Sequence, residues 1–106
     1  MSQAEAAIGL IRSELAARVG VLSAFSARRH RDIAIEIDAI RQIAHHHGLH
    51  PAVAVSQALE SALARGECRT LIQGWLSILG EAIGCERQDR AACETFVAAG
   101  SVRFSA

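Results

Sequence analysis

A chain of 106 residues, 51% of them hydrophobic, supports one core without disulfide staples and leaves no room for a second. Its 11 basic residues, all Arg, balance 11 acidic ones, so it lacks the basic excess through which nucleic-acid binders usually gain affinity. No apolar run approaches the ~20 residues of a membrane span, and Glu5, Arg12 and Glu14 inside the first apolar-periodic stretch do not suit a secretion signal.

With 3 Phe, 1 Trp, no Tyr and many Ala, the composition suits helices that approach one another closely. The one proline, Pro51, leaves the chain nearly free of helix breakers. The sequence is therefore expected to form an all-α compact bundle of four to five short helices joined by tight turns. The bundle is expected to be a single domain over 1–106, with a loose tail from about 100 onward.

The first helix is expected from Ser2 to about Phe25, opened by a capping box between Ser2 and Glu5. Ile8, Ile11, Leu15, Val19 and Leu22 recur at three- and four-residue steps and make one apolar stripe. Leu10, Val21 and Phe25 lie to one side of it and suggest a second contact surface. A polar joint, Arg28-Arg29-His30-Arg31, follows.

Asp32 is the expected N-cap of the second helix. Ile33, Ile35 and Ile37 alternate as in a strand, but Ile33, Ile37, Ile40, Ala44 and His47 continue one helical stripe. A lone short strand would also have nothing to pair with. Gly48 ends the helix as a left-handed cap, and Pro51 opens the third in its first turn. That helix offers Ala52, Val55, Ala58, Leu59, Ala62 and Leu63 as its inner face, up to Gly66.

The fourth helix, about 68–83, has the strongest pattern. Leu71, Ile72, Trp75, Leu76, Ile78, Leu79, Ala82 and Ile83 fill an arc of ~160° at 100° per residue, as a central helix would. Gly84 closes it, and Asp89 is expected to cap a short fifth helix carrying Ala92, Cys93, Phe96 and Val97. Short connections make sequential helices the expected neighbours.

Four imidazoles, His45, His46, His47 and His50, invite a metal hypothesis in which His47 and His50 are the candidates. Consecutive helical residues splay ~100° apart, however, and no H-E-x-x-H pattern is present. The simpler reading is a helix C-terminus whose free carbonyls and dipole favour imidazoles, so no metal and no cofactor is expected. Histidine phosphotransfer is disfavoured as well, since the Lys that follows the reactive His in such domains has no counterpart here.

Cys68, Cys85 and Cys93 show no C-x-x-C spacing, which fits a reducing compartment. They are expected to be small buried hydrophobes. The carboxylates are scattered singly, and no nucleophile elbow, P-loop or dinucleotide fingerprint occurs. An enzyme is not expected, and the default location is cytoplasmic.

Residues 39–63, with Ala44, Gly48, Leu49 and a second short helix, resemble a helix-turn-helix. That resemblance implies a DNA-binding regulator with Arg28, Arg29 and Arg31 on phosphates. The third helix would then present Val53, Ala54, Gln57 and Glu60, poor equipment for reading bases. The reading preferred from sequence is a small regulatory or adaptor protein acting through helix–helix contacts, most simply as a homodimer. Leu10, Val21, Phe25 and Ile35 are its candidate interface residues.

Overall fold

The computed structural model describes residues 3–24, 30–85 and 90–104, and the described chain is all-α. Five helices follow one another: α1 Gln3–Ala24, α2 His30–His46, α3 His50–Ala64, α4 Arg69–Gly84 and α5 Arg90–Phe104. They form a slab measuring 43 × 27 × 18 Å.

The stops are built from glycine. Gly48 and Gly66 both have φ of 71°, a left-handed conformation that a Cβ would strain. Each ends its helix with the paired hydrogen bonds of a Schellman turn. Leu49 N donates to Ala44 O at 2.9 Å and Gly48 N to His45 O at 3.2 Å. Glu67 N donates to Ala62 O and Gly66 N to Leu63 O, both at 3.1 Å. The apolar residue that completes the first turn, Leu49, is buried. Pro51 occupies the first turn of α3, where its missing N–H costs nothing.

The expected stripes meet in one core. Leu15, Val19 and Leu22 of α1 are buried, with Ile8 and Ile11 packed against the same cluster. Ile33, Ile37, Ile40 and Ala44 come from α2; Ala52, Val55, Leu59, Ala62 and Leu63 come from α3. The wide arc of α4 is buried from Ile72 to Ile83, with Leu71 at its edge.

Packing departs from sequence order at one point. α1 lies chiefly on α4 and touches its chain neighbour α2 only slightly. The arc of α4 accounts for this, because it receives α1, α3 and α5 together. α3 is equally central, set against α2, α4 and α5.

Two expected boundaries move. α2 begins at His30, so Asp32 lies inside its first turn, where a carboxylate still meets the positive end of the helix dipole. α5 runs through Gly100 to Phe104 instead of ending in a loose tail. The reason is packing: Gly100 is buried, and a Cβ built on it would sit 2.5 Å from Cη2 and Cζ3 of Trp75. This glycine serves close approach, not helix termination. The expected caps Ser2 and Asp89 lie outside the described residues.

Candidate functional site

The outer side of α1 is apolar as well as its inner side. On α1 the buried stripe points at α4, and the opposite side carries Leu10, Ser13, Ala17, Gly20, Val21 and Ala24, all exposed. Leu10 is 73% and Val21 47% exposed. Eleven positions apart on a helix, they stand on nearly the same side, about 16 Å apart along the axis. The small residues between them make a shallow floor flanked by two larger side chains.

Charge is nearly absent from this face. Its border holds Glu14 and Arg18, one turn apart and paired with each other at 3.4 Å. An ordinary surface helix turns a polar face to water; α1 turns an apolar one. Beside Val21 the surface dips into a hollow of about 190 Å³ between α1 and α2, lined by Arg18, Val21, Leu22 and Glu36.

Among the other interface candidates, Ile35 is 62% exposed on α2. Its neighbours one turn away on the helix are Arg31, Asp32, Asp38 and Ala39, so it stands as a large apolar residue in a mostly charged setting. Phe25 lies outside the described residues.

Of the candidate phosphate contacts, Arg28 and Arg29 also lie outside them. Arg31 is exposed in the first turn of α2 and lines an open groove of about 270 Å³ with His30, Ala34, Glu60, Leu63 and Ala64. His30, read from sequence as part of a polar joint, donates from Nε2 to the Glu67 carbonyl at 2.8 Å and ties the start of α2 to the α3–α4 turn. α3, the helix a helix-turn-helix would present to a groove, is packed against three others, with Gln57 and Ser61 among its exposed residues.

His47 is half-buried and His50 exposed; His47 meets His46 edge to face at 5.0 Å between ring centres. Among the described residues, no three His, Cys, Asp or Glu side chains gather as a metal site would require.

The cysteines differ from expectation. Cys68 is exposed as the residue preceding α4, and Cys85 and Cys93 are half-buried. Cys68 and Cys85 flank helix ends, where the turns keep them at the surface.

Two features escaped the sequence reading. Ser56 is completely buried in α3, and its Oγ has no hydrogen-bond partner. Arg41 joins α2 to α3, with Nε on Glu60 at 2.7 Å and Nη2 on Asp38 at 2.5 Å. The hydrogen bonds to these two carboxylates, Asp38 first, raise the Arg41 pKa above its ordinary value. A pairing between helices leaves no periodic trace in sequence, which is why Arg41 and Glu60 could not be matched in advance.

Comparison with protein-family models, with curated proteins and with solved structures finds no match to this chain.

Proposed function

We propose that this chain is a small, non-catalytic regulatory or adaptor protein that works by helix–helix association, in the first place with a second copy of itself. The observation that supports the reading is the outer face of α1: Leu10 and Val21 exposed at its ends, small residues between, and its bordering charges already paired. Among the described residues no helix is long and apolar enough to cross a membrane, so an aqueous partner suits this face better than a bilayer core.

Apolar surface held out in water favours association at about 25 cal/mol per Å² removed. A helix floor of Ser, Ala and Gly lets a second helix come close and gain dispersion contacts along its length. Size-exclusion chromatography with light scattering over a range of loading concentrations tests the reading. The mass should climb from 11.3 kDa toward twice that value as concentration rises. A single 11.3 kDa species at every concentration would contradict it.

A further inference from the structure

The face of α1 carries both a projection and a recess. Leu10, 73% exposed, is the projection. The hollow between α1 and α2, walled by Arg18, Val21, Leu22 and Glu36, is the recess, about three helical turns further along, where the border of the face meets α2. A surface holding both halves of a contact is suited to a two-fold interface, in which each copy supplies what the other receives.

Resting on the self-association proposed above, we infer that two copies pair antiparallel through α1, with Leu10 of each seated in the hollow beside Val21 of the other. Three features select this arrangement over a parallel one. In a parallel pair Leu10 would lie level with Leu10 and hollow level with hollow, leaving the recesses unfilled. The charges argue the same way. Glu14 and Arg18 lie on one border of the face, four positions apart, so an antiparallel pair, which sets that border against its own copy, brings Glu14 of each copy toward Arg18 of the other, whereas a parallel pair sets it against the opposite border. The third feature is shape. With Leu10 opposite Val21, the centre of the contact falls on Ser13 and Ala17, the small residues that permit close helix approach.

Cysteine cross-linking tests the arrangement. Leu10→Cys and Val21→Cys are surface changes in the middle of a helix, and circular dichroism confirms that each variant folds. The mass of every sample is measured first. The variants are then oxidised separately and mixed, and linked peptides are identified by mass spectrometry, which sets aside links through the native Cys68, Cys85 and Cys93. The mixture should gain a covalent dimer joined between positions 10 and 21, and neither variant alone should gain one through its new thiol. Leu10→Ala should weaken self-association about tenfold or more, from the apolar side chain no longer buried.

A dimer in which Leu10→Cys links to itself, or in which positions 10 and 21 never link, would overturn the antiparallel arrangement and leave self-association standing. Samples that stay monomeric throughout would overturn both.

Discussion

The indole of Trp75 lies so close to the backbone of Gly100 that a single added methyl would collide with the ring, at 2.5 Å from two of its carbons. α5 packs against both α3 and α4, and Trp75 is buried, with 5% relative exposure. The contact fixes the register of α5 and explains why a glycine stands inside that helix.

Gly→Ala substitutions should therefore have opposite signs at two positions. Gly20→Ala, in the exposed interior of α1 with open space around it, should stabilise the fold by up to about 1 kcal/mol, as helix propensity dictates. Gly100→Ala should instead destabilise it by about 1–3 kcal/mol, because a rigid buried ring cannot move aside cheaply. Urea denaturation of both variants checks this. Adding Trp75→Phe, whose smaller ring opens the space, should recover part of the Gly100→Ala loss in a double-mutant cycle.

The hydroxyl of Ser56 is buried without a partner. Leaving a polar group unsatisfied costs about 1–3 kcal/mol, so Ser56→Ala should stabilise the fold by about 1 kcal/mol, helped by better helix propensity. A higher melting temperature on calorimetry is the expected result. An unchanged or lower one would mean that the hydroxyl finds a partner in solution.

Arg41→Gln should lower the melting temperature, since it removes the link from α2 to Glu60 on α3. The loss should shrink in high salt, because the pair is partly exposed and screened. The sign with pH follows from the raised Arg41 pKa. A cation held above its ordinary value contributes fully below that value, and its contribution fades only as pH climbs through the raised one. From the Arg41 side, then, the difference between wild type and variant should stay flat through neutral and mildly alkaline pH. Thermal melts across that range measure it.

Much of this fold was legible because its signals are local. Periodic stripes identified the inner faces of α1 to α4, and Gly48, Pro51 and Gly66 marked turns through backbone constraints that any surroundings would impose. The tail was expected to be loose from about 100, where Gly100 instead sits inside α5. Only its spacing from Ala92 and Phe96, eight and four positions on the inner stripe, hinted that the helix continues. The preference of α1 for α4 over α2 was invisible, since it depends on three helices sharing one broad apolar face. Leu10 and Val21 stood out from the main stripe in sequence; Ile35 did too, and the polar residues beside it on the same helix were legible at the same spacing. The hollow beside Val21 is shaped by Glu36 of another helix and had no sequence trace.

The outer face of α1 is the centre of this account, and Ala17 lies in the middle of it, exposed and between Leu10 and Val21. Ala17→Arg should leave folding nearly unchanged, because Arg is a good helix former at an exposed position. Placed against a second helix, it would bring a bulky cation into the close contact. Sedimentation equilibrium of wild type and Ala17→Arg, side by side at matched concentrations, is the most direct measurement. Wild type should approach twice 11.3 kDa while the variant remains at 11.3 kDa with its helix content intact. Equal masses for the two, whether both monomeric or both dimeric, would contradict association through this face.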